Sequence, residues 1–106
     1  MIYVDAENNI TISQGDTFAV EFETDETLAY GDKAVLAIKK GAETLMSIET
    51  AGEGITVLSF VISKDEMRKL GVGKYVYDLH FDYANGVRYT ADFVRKLEIL
   101  QVAHEV

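Results

Sequence analysis

The sequence predicts an all-β chain, an antiparallel β-sandwich with one short helix, and three observations carry that reading. Short runs of alternating apolar and polar residues recur between turn signals at near-regular spacing. A single capped helical stretch, about residues 64–70, leads through Gly71 and Gly73 into a tyrosine-rich strand. Asn85-Gly86 then turns that strand back on a partner. The 106 residues suit one domain, 1–106, long enough to bury roughly two-thirds of the unfolded surface.

In chain order, Ile2-Tyr3-Val4 is an edge-strand candidate, followed by a polar break to Asn9. Ile10–Ser13 is a short strand, and Gly15-Asp16 turns the chain. Thr17–Glu23 alternates, with Phe18, Val20 and Phe22 inward and Ala19, Glu21 and Glu23 outward. Thr24–Asp32 is expected to be an acidic loop. Lys33–Lys40 admits two readings: a strand buried on both faces, or a helix started by Asp32 and stopped by Gly41. The strand-rich context favours the strand. Leu45–Glu49 is a weaker strand, 51–54 a turn, and Ile55–Ile62 a strong strand with Leu58, Phe60 and Ile62 on one face.

Ser63-Lys64-Asp65-Glu66 has the spacing of a capping box. The Ser63 hydroxyl is placed to accept from the Glu66 N–H, and the Glu66 carboxylate to accept from the Ser63 N–H. Ile62 and Met67 are spaced as a hydrophobic staple, and Gly71 stands where a left-handed C-cap is wanted. So short a helix is stable only against a core, through Met67 and Leu70.

From Lys74 to Tyr83, the apolar Tyr75, Tyr77, Leu79 and Phe81 alternate with Val76, Asp78, His80 and Asp82. A two-residue loop would set Phe81 against Thr90 and Leu79 against Asp92. A three-residue loop, Ala84-Asn85-Gly86, instead sets Tyr83 against Val87, Phe81 against Tyr89, Leu79 against Ala91 and Tyr77 against Phe93. Apolar then meets apolar, so the longer loop is expected, closed by Gly86 in the left-handed region. Leu97–Val102 is a last strand after the charged step Arg95-Lys96. A helical turn leading into a strand that opens on a tyrosine resembles the tyrosine corner of immunoglobulin-like domains, with Tyr75 as the corner residue. The cysteine pair and tryptophan of antibody domains are absent, which leaves the wider immunoglobulin-like sandwich class.

Composition narrows the function classes. Hydrophobic residues make up 48%, enough for a folded core. With no cysteine, disulfides, thiol catalysis and thiolate metal sites drop out together. A formal net charge of −8 disfavours nucleic acid and anionic lipid. No basic-then-apolar leader and no stretch of membrane-spanning length is found, so neither a signal peptide nor a membrane partner is expected.

The search for chemistry turns on His80, since His104 is close to the C-terminus. Under the register above, Asp78 faces Asp92, His80 faces Thr90 and Asp82 faces Arg88 on the outer face. Two carboxylates beside an imidazole suit a metal or a proton transfer. The favoured reading is a flat, solvated sheet face with one ion pair, Asp82 with Arg88. Glu23, Asp25, Glu26 and Asp32 offer hard oxygens for calcium but lack the spacing of a dedicated loop, so a plain charged loop is expected. Ser13, Ser47, Ser59 and Ser63 have no histidine and acid in a recognisable motif. Gly71-x-Gly73 follows a helix instead of opening one, the reverse of a phosphate loop. Tyr75, Tyr77 and Tyr89 are assigned to the core; Tyr3, Tyr30 and Tyr83 stay open. No catalytic, metal or cofactor residue is therefore assigned, and an enzyme is not expected. Val76 and Val94 point outward as a facing pair beside a sheet edge and are the candidate partner contact.

Taken together, Ile10-Thr11-Ile12-Ser13-Gln14-Gly15-Asp16-Thr17, the stretch Ser63–Gly71, Gly73-Lys74-Tyr75-Val76-Tyr77-Asp78-Leu79 and the Asn85-Gly86 hairpin resemble the small sandwich modules of phage and prophage tail and baseplate proteins. They are similar to the N-terminal domain of baseplate upper proteins. The resemblance spans about Ile10 to Val102; such modules often carry glycine in the closing strand where this chain has Arg95-Lys96. It implies a non-enzymatic structural part that docks to other virion, tail or baseplate subunits, self-association among them, located in the virion or host cytoplasm. The second expectation is an extracellular sandwich module that recognises a sugar or adheres to a surface.

Overall fold

The computed structural model describes residues 2–101, the side chains of Glu26, Ala91, Asp92 and Phe93 excepted. Its elements are β1 (Ile2–Val4), β2 (Ile10–Ser13), β3 (Phe18–Leu28), β4 (Lys33–Lys40) and β5 (Glu43–Ala51), then β6 (Ile55–Ile62), α1 (Lys64–Met67), β7 (Gly73–Asp82) and β8 (Arg88–Leu100). Strands hold 65% of the described structure and helix 4%, so the core has to be sheet against sheet. One sheet has six strands in the order β1-β2-β8-β7-β4-β5; the other has two, β3 and β6. The pairings are antiparallel except β2 with β8, which run parallel with Ile10 opposite Leu97 and Ile12 opposite Ile99. A parallel pair needs a long crossover, and here almost the whole chain lies between the two strands.

The inward rows meet in one core. Tyr77, Phe18 and Phe60 are the largest fully buried side chains, with Ile12, Leu36, Ile38, Leu58 and Ile99 among them. Each such burial stabilises the fold by about 1.5–3 kcal/mol. β4 is the strand reading of Lys33–Lys40: Ala34 through Ile38 are all buried, Ala34, Leu36 and Ile38 in the core and the small Val35 and Ala37 on the outer face between longer side chains of the flanking strands. That placement decides against the helix. β5 is longer than Leu45–Glu49 and forms the sheet edge, with a register shift where β4 passes from Ile38 to Lys39.

The helical stretch is shorter than expected, one turn of Lys64–Met67, with Lys69 and Leu70 held by bonds to the carbonyls of Glu66 and Met67. Ser63 Oγ accepts from the Glu66 N–H at 3.2 Å, and Ile62 and Met67 are both buried. The Glu66 carboxylate does not close the box. It bonds to Lys69 Nζ at 3.1 Å, a charged partner one turn on. Gly71 has no positive φ; what it supplies is a carbonyl that accepts from Tyr75 Oη at 2.6 Å. That bond is the expected tyrosine corner.

The hairpin loop is the three-residue one. Tyr83 N–H bonds to the Val87 carbonyl, Gly86 N–H to the Tyr83 carbonyl, and Gly86 has φ +91°. Phe81 faces Tyr89, His80 faces Thr90 and Asp82 faces Arg88. Further along, the expected register fails. β8 carries Ala91, Asp92 and Phe93 where β7 carries only Leu79, so Tyr77 faces Arg95 and Asp78 faces Val94. The surplus is two residues, an even number, so inward and outward stay as they were. The expected pairs Leu79–Ala91, Tyr77–Phe93 and Asp78–Asp92 are therefore not formed, and β8 runs unbroken through Arg95-Lys96. Val102 and His104 lie outside the described residues.

β3 also outruns its expected end. It continues through Glu23 and Asp25 to Leu28, which pairs with Ile55 after a shift in register. The acidic stretch is thus mostly strand. Asp32, at its end, spends its carboxylate on the N–H groups of Ala29 and Ala84, at 3.1 and 2.9 Å.

Candidate functional site

The outer face of the six-stranded sheet is where sequence placed His80 between Asp78 and Asp82, and the face is not flat. Val35 and Ala37 of β4 are small, while long side chains rise from the strands on either side. Between them lies a shallow hollow of about 420 Å³ bordered by Lys39, Ser47, Glu49, Asp78, His80 and Arg88. Nor is the centre solvated: Asp78 is 8% exposed, a buried carboxylate that needs a counter-ion. Lys39, next door on β4, supplies it at 2.7 Å. The expectation of a flat, wet face with a single ion pair is corrected on both counts.

The His80 imidazole lies between two carboxylates, Nδ1 at 3.9 Å from Asp78 Oδ1 and Nε2 at 3.8 Å from Asp82 Oδ2. Both distances exceed a hydrogen bond. Asp82 accepts from Arg88 Nε at 2.6 Å and Nη2 at 3.1 Å, and this bond to Arg88 is the main reason its carboxyl is held below the usual carboxylate range. Each carboxylate is therefore already matched to a cation on a neighbouring strand. Such a cluster ties side chains together across β4, β7 and β8. Among the described residues, no group of three acids or histidines is placed to hold a metal ion, and Glu23, Asp25 and Asp32 form no calcium loop.

The candidate contact residues Val76 and Val94 both face outward, but the two extra residues of β8 part them. Val76 faces Lys96, and Val94, 63% exposed, faces Asp78. They are not directly opposite as the expected register implied, and β7 and β8 lie inside the sheet, not beside its edge. Sequence reading missed a second apolar strip: Val57 and Val61 on the outer face of β6, 41% and 57% exposed, with Ala19 of β3 opposite Val61. The signal was present, since Ile55–Ile62 carries no charge and is apolar on both faces, more than a strand with one wet face requires.

The largest correction concerns the tyrosines. Tyr75 and Tyr77 are buried as expected, Tyr3 and Tyr30 are exposed, and Tyr89, assigned to the core, is 55% exposed. Tyr89 does face inward: its ring stacks beside Phe81, which also stacks on Tyr83, with centroids 6.3 and 6.2 Å apart. It is exposed because β3, out of register with β6 between Glu23 and Leu28, leaves a gap over the ring. A hollow of about 560 Å³ opens there between Asp25 and Leu28 of β3 and the rings of Phe81, Tyr83 and Tyr89. Among the described residues, no helix is long and apolar enough to cross a membrane. No family model, curated protein or solved structure matches the chain.

Proposed function

We propose that the chain is a non-enzymatic structural or assembly module of a phage or prophage tail-baseplate type particle, and that it works by docking to other subunits. One observation carries the docking part: at the far end of the β7–β8 hairpin the inward-facing ring of Tyr89 stays 55% exposed beside a hollow that the out-of-register end of β3 does not fill. Apolar surface of that kind, rimmed by polar residues, is what a protein partner covers. The particle type rests on the resemblance of Ile10–Thr17, Ser63–Gly71 and the Asn85-Gly86 hairpin to tail and baseplate modules. The ion-paired state of Asp78 and Asp82 supports a structural use of the polar face over a catalytic one.

Co-sedimentation with purified tail or baseplate particles from the encoding phage or prophage tests the proposal, together with the chain's mass in solution at micromolar concentration. Saturable binding to the particle is expected. A strict monomer that binds no component of it ends the proposal. A second reading, recognition of a sugar by a surface module, draws on the exposed rings of Tyr3, Tyr30 and Tyr89. Glycan-array binding that disappears in Tyr89→Ala would decide for it.

A further inference from the structure

The charges of this chain are divided unevenly between its two sheets. Of its ten lysines and arginines, seven stand on strands of the six-stranded sheet and three in and around α1; β3 and β6 carry none. The outer face of the two-stranded sheet is a ladder of exposed side chains: Ala19 opposite Val61, Glu21 opposite Ser59 and Glu23 opposite Val57. It presents two glutamates along β3 beside two valines along β6. On the outer face of the six-stranded sheet, near the start of β7, Lys74 is opposite Glu98, Val76 opposite Lys96 and Asp78 opposite Val94. Asp78 is neutralised by Lys39. Lys74 and Lys96 make no ion pair among the described residues, and with Glu98 they rim a hollow of about 360 Å³ beside Val76.

We propose that these two faces bind each other between copies of this chain: the β3–β6 face of one copy packs on the Lys74–Lys96 end of the outer face of the next. The inference goes beyond the docking reading above and does not depend on the particle type. Three properties make a second copy the occupant. The signs match, two carboxylates meeting two ammonium groups, with Glu98 the one opposing charge on the rim. The spacings match as well. Glu21 and Glu23 are two residues apart on one strand, about 7 Å, and Lys74 and Lys96 are diagonal neighbours on adjacent strands, about 7–8 Å. Each face also brings valines to be covered: Val57 and Val61, 41% and 57% exposed, on one side, and Val94, 63% exposed, with the half-buried Val76 on the other. The net charge of −8 opposes association from a distance, but salt screens it beyond about 8–10 Å and the local pattern governs the contact. The two faces are opposite sides of one sandwich, so the contact is head-to-tail and builds a ring or a column, not a two-fold pair.

Sedimentation velocity from micromolar to millimolar concentration tests this, with circular dichroism to check the fold of each variant. The parent's mass is expected to climb past that of a dimer. Glu21→Lys/Glu23→Lys and Lys74→Glu/Lys96→Glu change only exposed positions, and each alone should associate at least about tenfold more weakly, because like charges then meet. Mixed in equal amounts, the two variants should associate as the parent does, in assemblies that alternate them, since every contact again sets lysine against glutamate. A parent that stays monomeric at millimolar concentration overturns the proposal. So does a dimer that grows no further, a double variant that associates like the parent, or a mixture no heavier than its parts. Self-association without particle binding would leave this contact standing and remove the tail-baseplate assignment; a monomer that binds the particle would do the reverse.

Discussion

The two ends of the β7–β8 hairpin are made of the same residue type on the same face, and they end in opposite environments. Near the start of β7, Tyr75 and Tyr77 are 7% and 0% exposed, and their hydroxyls donate to the carbonyls of Gly71 and Asn8. Near the turn, Tyr89 is 55% exposed with Tyr83 half-buried beside it. Period-two alternation sets which face a side chain takes; the reach of the opposing sheet sets whether that face is covered. Over Tyr77 lie Phe22 of β3 and the loop that carries Asn8. Over Tyr89, among the described residues, lies the out-of-register end of β3 with a hollow between them.

Replacing the buried ring should therefore do the most damage. Tyr77→Ala is expected to cost about 3–5 kcal/mol, the range for truncating a buried aromatic. It should lower the melting temperature severely or prevent folding in chemical denaturation experiments. Tyr77→Phe keeps the ring and loses the bond to Asn8, at about 1 kcal/mol. If Tyr77→Ala melts within a few degrees of the parent, the contrast between the two ends is wrong.

Alkaline pH probes the same ring with a smaller effect. Burial pushes the Tyr77 hydroxyl up to about 12 from its ordinary 10. A phenol whose folded-state pKa is raised ionises first in the unfolded chain, so unfolding releases its proton. Its contribution is whole below pH 10 and is lost as the pH climbs toward 12, on the order of 2 kcal/mol by the end. Denaturation midpoints between pH 9 and 12 should fall more steeply for the parent than for Tyr77→Phe. Parallel profiles would mean that Tyr77 ionises as easily folded as unfolded.

How much of this was legible in the sequence follows from the range of each determinant. The Ser63 cap, the Tyr75 corner and the three-residue loop involve partners within four residues, and all three were readable from spacing. The strand identity of Lys33–Lys40 came only from context, since Ala, Val, Leu and Ile suit both periods. The two extra residues in β8 left no mark, because an even insertion preserves the alternation that pattern reading relies on. Tyr89 was misplaced for a different reason. Its neighbours along the chain gave its face correctly, but cover depended on a sheet of just two strands, β3 and β6, contributed from far away. The hollow beside Asp78 was hidden in the same way, since it depends on Val35 and Ala37 of β4 lying next to β7.

At the hairpin tip itself, backbone strain replaces packing. Nothing lies within 4 Å of where a Gly86 side chain would begin, so space is not the difficulty. The φ of +91° is, and a β-branched residue there should cost about 1–2 kcal/mol. Gly86→Asn, tolerant of positive φ, should lose clearly less than Gly86→Val in thermal melts. Equal losses would point to a contact at the tip instead of conformation.

Tyr89→Ala is the smallest effect expected and the most informative partner to Tyr77→Ala. More than half of the Tyr89 surface already meets water, so truncation leaves no closed cavity and removes mainly the stacking on Phe81. Under about 1 kcal/mol of stability should be lost, within reach of careful urea titration. If Tyr89→Ala instead destabilises as strongly as Tyr77→Ala, the ring is covered in solution and the two ends of the hairpin do not differ in the way drawn above.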